Sequence, residues 1–134
     1  MPRAVAFLLV LAALAGVVEA AAASDSAPSS LRADVAEWSI VPSTGVVRHG
    51  AVRIVVRNLG AASHRIAIVR TRRFGDRLPS NGEQVSVRPL GRSISVAPGR
   101  AATFVVRLAP GSYVLFDDLP WAYWLGASAA FTVD

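Results

Sequence analysis

The stretch AVRIVVRN, residues 51 to 58, alternates along its length. Val52, Ile54 and Val56 share one face, and Arg53, Val55 and Arg57 share the other. A period of two marks a strand with one face in a core and the other toward water. Val35, Glu37 and Ser39 alternate in the same way with Ala36, Trp38 and Ile40, and further short runs follow: HRIAIVR, VSV, SISV, ATFVVRL, SYVLF and AAFTV. Pro42, Gly45, Gly50, Gly60, Pro98-Gly99 and Pro110-Gly111 stand between them. Runs this short, so often broken by Gly and Pro, leave no room for a helical period. They predict an all-β fold, a sandwich or a barrel.

The chain has 134 residues, enough for one domain. Its start is a basic MPR, an apolar run AVAFLLVLAALAGVV and the small residues EAAAAS. This is the pattern of a signal peptide over residues 1–23, with cleavage expected after Ala20 or Ala23. The apolar run is short for a span, which needs about 20 residues, so the chain is expected to meet a membrane only if this segment is left uncleaved. Residues 24–33, SDSAPSSLRA, read as a flexible linker, and residues 34–134 as the domain. The expected location is outside the cytoplasm: periplasmic, cell-surface or secreted. There is no cysteine, hence no disulfide, and the core alone must hold the domain. Net charge is +5 and every basic residue is arginine. Such a surface attracts anionic partners, but no nucleic-acid motif is present, and an exported chain is not expected to bind DNA or RNA.

RTRRFGDRLPSNGEQ, residues 70–84, breaks the strand pattern and reads as a polar surface loop with a short helical turn as an option. Arg70, Arg72 and Arg73, together with Arg65 and Arg77, would give one end or side a basic patch. That patch is a candidate contact for an anionic surface or a protein partner.

Two further segments carry a resemblance. RNLGAASH, residues 57–64, is similar to the strand and turn of cupredoxins, where an Asn, a Gly and then a His close one end of a β-sandwich. SVAPGRAATFVVRLAPGSYVLF resembles the next landmark of that family, two Pro-Gly turns leading to a Tyr-Val-Leu strand aimed at the metal, and AAFTV its closing strand. The resemblance, to small bacterial domains of the plastocyanin and azurin type, spans residues 34–134. It implies a Greek-key β-sandwich of seven to eight strands. It also implies where copper ligands would stand. The first His matches His64. The positions of Cys, second His and Met fall on Asp117, Ala122 and Ala127. Leu119-Pro120 and Gly126 keep the frame of the family's Leu-Pro-Gly-His and Gly-Met segments, with Trp121 at the former glycine.

The chemistry of those positions excludes a blue-copper electron carrier. Such a centre needs a His₂Cys set with a weak axial ligand, often Met. This chain has no cysteine, two histidines and a single methionine, Met1. No cofactor is expected. One His and one Asp fall short of the four ligands of a structural zinc site, so the expected role of His64 and Asp117 is a bond that seals the end of the sandwich. The alternative is a low-affinity copper or zinc binder of the cell envelope that uses this pair. Enzymatic activity is not expected: Ser63 and His64 are sequence neighbours that diverge on a strand, and no nucleophile elbow is present. Trp121, Tyr123 and Trp124 crowd the same loop. Either the rings fold over the vacated site, or at least one stays exposed as a docking anchor for an envelope or extracellular protein. Trp38 is expected in the core.

Overall fold

The computed structural model describes residues 26–72 and 77–134. The expected signal peptide and Arg73 lie outside the described residues. Nine strands run in chain order: β1 (Ser29–Ala36), β2 (Ser39–Pro42), β3 (Val46–Val47), β4 (Gly50–Asn58), β5 (His64–Thr71), β6 (Ile94–Val96), β7 (Ala101–Leu108), β8 (Gly111–Asp117) and β9 (Ser128–Val133). They form two sheets, ordered β2-β1-β4-β7 and β3-β9-β8-β5-β6. β1 pairs with β4 in parallel, β3 pairs with β9 in parallel, and the remaining pairs are antiparallel. The expected all-β sandwich is what forms. The count exceeds the expected seven or eight through short pieces such as the two-residue β3.

Periodicity explains β4 directly. Val52, Ile54 and Val56 are buried between the sheets, and Arg53 and Arg57 face water. The inter-sheet core adds Leu31, Val35, Ile66, Ile68, Tyr113, Leu115 and Phe131. Tyr113 and Phe131 stack on adjacent strands with centroids 5.6 Å apart. β5 and β8 behave differently, because both of their faces are buried. A second apolar cluster of Ala67, Val69, Leu78, Val85, Val114, Phe116 and Tyr123 covers their outer side. A sheet covered on both faces reads as a near-continuous apolar run, as IAIV and YVLF do.

Three expectations change. The strand begins at Ser29, inside the stretch 24–33 read as a linker. Leu31 and Ala33 are fully buried, and residues 29–35 pair with β4. The segment after Arg77 is no free surface loop. Leu78 and Val85 bury themselves on β5 and β8, Val85 forms an isolated bridge with Ser80, and VSV makes no strand of its own. Among the described residues of this segment no helix forms. Trp38 is outside the core. Ala36 pairs with Ser39, so Glu37 and Trp38 are the two residues of a tight turn, and Trp38 takes φ 60° there.

One ion pair ties the outer face of the four-stranded sheet. Arg57 Nη2 lies 2.9 Å from Asp34 Oδ2, and Nε bonds Oδ1 at 3.0 Å. The guanidinium bonded to Asp34 holds its carboxyl below the usual range. A depressed folded-state value makes the pair stabilising above the ordinary carboxylate range, and the contribution fades as pH falls through the folded value. The pair is partly exposed and screened by water, so Arg57→Gln should lower stability only slightly at neutral pH. Urea unfolding should find this difference closing in acid. A difference that persists unchanged in strong acid would mean that packing, and not charge, carries it.

Candidate functional site

β1, β4 and β8 deliver their carboxyl-terminal ends, and β5 its start, to one pole of the sandwich. At its centre His64 Nδ1 donates to Asp117 Oδ2 over 2.6 Å. The two residues are 3% and 1% exposed. The remaining Asp117 oxygen accepts from the Arg65 and Leu119 N–H groups at 3.2 and 3.1 Å. Three donors compensate a carboxylate that burial alone would make costly. Asn58 is likewise buried and satisfied: Nδ2 donates to the Ala62 and Val96 carbonyls, and Oδ1 accepts from Gly60 N–H.

The other nitrogen of His64 is buried without a hydrogen-bond partner, and Glu37 Oε1 stands 3.7 Å from it. Glu37 itself is exposed. It accepts from Ala61 and Ala62 N–H, each at 2.8 Å, and chiefly the bond from Ala62 holds its pKa below the usual carboxylate value. A Cβ on Gly60 would sit 2.4 Å from the same carboxylate oxygen, so a side chain there would displace the Glu37 carboxylate from these bonds. Sequence reading gave Glu37 no role. The small residues of Gly60-Ala61-Ala62 were its only trace.

The loop after β8 is fixed by its backbone. Asp117 N–H donates to Ala127 O, and Ala127 N–H donates to Ala122 O. Ala122 and Ala127 are fully buried, so the four positions His64, Asp117, Ala122 and Ala127 are brought together. Asp118 turns outward, its carbonyl bonded by Arg65 Nη2 and Gln84 Nε2.

The aromatic residues separate sharply. Tyr123 is buried: its hydroxyl accepts from Leu78 N–H at 2.8 Å and its ring meets Phe116 edge-on at 6.4 Å. It closes the cover over β5 and β8, so as a partner-binding candidate it is withdrawn. Trp38, Trp121 and Trp124 are 47%, 53% and 59% exposed. The tryptophans therefore do not fold over the positions that the resemblance assigns to copper ligands. Trp121 takes φ 67° at the family's glycine position. Trp38 and Trp121 are the non-glycine residues at positive φ among the described residues. The two belong to the same pole: a Cβ on Gly126, in the Trp121 loop, would lie 3.1 Å from the Trp38 carbonyl. The exposed side chains of Leu59 and Leu125 surround them.

The arginines form no single patch. Arg65 stays at the His64 pole beside Asp118, 3.6 Å away. Arg70 lies at the far end of β5, where Nη2 donates to Pro110 O at 2.6 Å and the guanidinium packs over the Tyr113 ring. Arg72 is exposed near it.

No family model matches the sequence, and no curated protein sequence matches it. Solved structures do. The chain superposes on auracyanin from the photosynthetic bacterium Roseiflexus castenholzii with TM-score 0.59 and 20% identity, over 81% of this chain and 99% of that one. It superposes on auracyanin B with TM-score 0.58 and 15% identity, over 82% and 92%. For rusticyanin from Thiobacillus ferrooxidans the values are 0.57 and 12%, over 81% and 79%. The fold is cupredoxin-like. Within that fold, the donor set at the His64 pole does not fit type 1 copper. Asp117 holds the imidazole nitrogen directly, and Ala122 and Ala127 carry no donor atoms. Among the described residues, no three His, Cys, Asp or Glu side chains converge on a point where an ion would sit. No described helix is long and apolar enough to cross a membrane.

Proposed function

We propose that this chain is an exported, copper-free binding module of cupredoxin-like fold, and that the His64 pole docks a protein partner through Trp121, Trp124 and Trp38. One observation carries the reading: two of these tryptophans are exposed on backbone that favours glycine. A left-handed conformation costs a residue with a Cβ about 1–2 kcal/mol. Folding gains little from the half-exposed rings of Trp38 and Trp121, so these are retained for something outside the domain, whereas Trp124 also donates from Nε1 to Ser80 Oγ and meets the Tyr123 ring edge-on. Tryptophan is among the commonest energetic anchors of protein interfaces. The pole offers catalysis little, because the His64 ring is buried with carboxylates toward both of its nitrogens and no nucleophile lies between them. The His64–Asp117 pair serves the module as a seal, since a direct bond of 2.6 Å leaves no space for an ion between the two groups.

The test is Trp121→Gly combined with Trp124→Ser. A docking role predicts an unfolding midpoint unchanged or raised by a few degrees, since glycine relieves the strained turn. A photo-reactive residue at position 121 should cross-link one defined partner, and the same residue at the exposed Val41 should not. A loss of about 3 kcal/mol or more in the double variant would show that the rings serve packing, and equal cross-linking from both positions would remove the docking site.

A further inference from the structure

The pole opposite His64 is built from the starts of β1, β4 and β8 and the ends of β5, β7 and β9. A polar concavity there is lined by Ser26, Ala27, Arg48, His49 and Arg107, among others. Arg107 pairs across the ladder with Ala51, and the next outward residue along β4 is Arg53. Arg53 and Arg107 are therefore diagonal neighbours on the open face of the four-stranded sheet, about 7–8 Å apart. Val105, the ladder partner of Arg53, is exposed beside them. Arg48, Arg53 and Arg107 make no ion pair among the described residues, whose pairs link Arg57 to Asp34, Arg65 to Asp118, and His64 to its two carboxylates. Asp134 is the acidic residue at this end, and His49 holds its carbonyl oxygen through both N–H and Nδ1.

We propose that this arginine face rests on an anionic lipid surface. Arg53 and Arg107 beside the exposed Val105, with Arg48 at the adjoining rim where it bonds only the Ala27 carbonyl, present guanidinium groups without carboxylate partners to a broad negative plane. The occupant follows from where the chain enters. Ser26 and Ala27 line the same concavity, so residues 1–25, with the apolar run Ala4–Val18, join the domain at the arginine end. The seven residues between Val18 and Ser26 reach at most about 25 Å. Any residence of the apolar run in a bilayer therefore brings Arg48 and Arg107 to the headgroups. Each arginine at an anionic leaflet strengthens binding about fivefold, and the attraction fades within roughly 10 Å.

Both sheets and both apolar clusters lie within residues 26–134, so the chain lacking residues 1–25 carries the whole sandwich. At low salt it should co-sediment with phosphatidylcholine vesicles that contain phosphatidylglycerol, and not with phosphatidylcholine alone. Combining Arg48→Gln, Arg53→Gln and Arg107→Gln should weaken this binding on the order of a hundredfold. Combining Arg77→Gln, Arg88→Gln and Arg100→Gln removes the same charge from exposed positions elsewhere and should weaken it far less. Failure to bind the anionic vesicles would overturn the proposal. Equal losses in the two triple variants would reduce it to net charge. Tighter binding to soluble polyphosphate than to the vesicles would replace the lipid with an anionic polymer.

Discussion

Asp117→Ala should cost about 3–5 kcal/mol, since each donor left without its acceptor costs about 1–3 kcal/mol. The carboxylate satisfies three donors at once: His64 Nδ1 and the backbone N–H groups of Arg65 and Leu119. Without it all three are left in a place that water does not reach, and the second nitrogen of His64 already lacks a partner. Single domains are stable by only about 5–15 kcal/mol, so the loss is a large share of the total. For a domain near 100 residues it corresponds to a midpoint drop of roughly 12 °C or more. Asp117→Asn should fall between this variant and the parent, since an amide keeps an acceptor for the two backbone groups. Thermal or urea unfolding reads both. A midpoint within a degree or two of the parent for Asp117→Ala would show that the pair is not what closes the pole.

The second large effect is a gain. Combining Asp117→Cys, Ala122→His and Ala127→Met should give a protein that turns intensely coloured with copper, while the parent stays colourless. The four positions are already adjacent and buried, so the change supplies donors to an existing frame. His64 loses its carboxylate partner in the same step and is freed as a ligand. A His₂Cys set with an axial Met is what type 1 copper requires. Asp117→Cys alone lacks the second imidazole and should not form that centre. A triple variant that folds yet stays colourless would show that the loop 118–127 holds another register than the cupredoxin frame.

Much of the architecture was legible because it depends on local alternation. Val52, Ile54 and Val56 declare a core face without reference to any other strand. The Pro-Gly turns at 98–99 and 110–111 mark where β7 and β8 begin. What escaped depends on neighbours distant in the sequence. Trp38 falls in the alternation of Val35 to Ile40, yet a two-residue turn without Gly, Pro or Asn interrupts it there. Leu78 and Val85 look like scattered apolar residues of a polar loop until β5 and β8 are seen to need an outer cover. Tyr123 and its flanking tryptophans are alike in composition. They part because only the tyrosine has a hydroxyl within reach of an amide that must be satisfied, Leu78 N–H. At the site, the register of His64 and Asp117 was readable through the resemblance, whereas Glu37 arrives from another strand pair and carries no mark in its own surroundings.

The place of β9 in its sheet bears on when the molecule becomes rigid during synthesis. This strand, residues 128–133, is last in the described chain, yet it stands inside its sheet between β3 and β8. Until it is delivered, β8 has an open edge, Tyr113 lacks its stacking partner Phe131, and Val47 lacks the parallel neighbour Val133. Pairings of such long sequence separation form late and slowly, because loop closure must be met before any contact compensates it. The sheet β2-β1-β4-β7 can assemble before β9 is made, whereas the other sheet closes, and takes β3 in, only when that last described strand arrives.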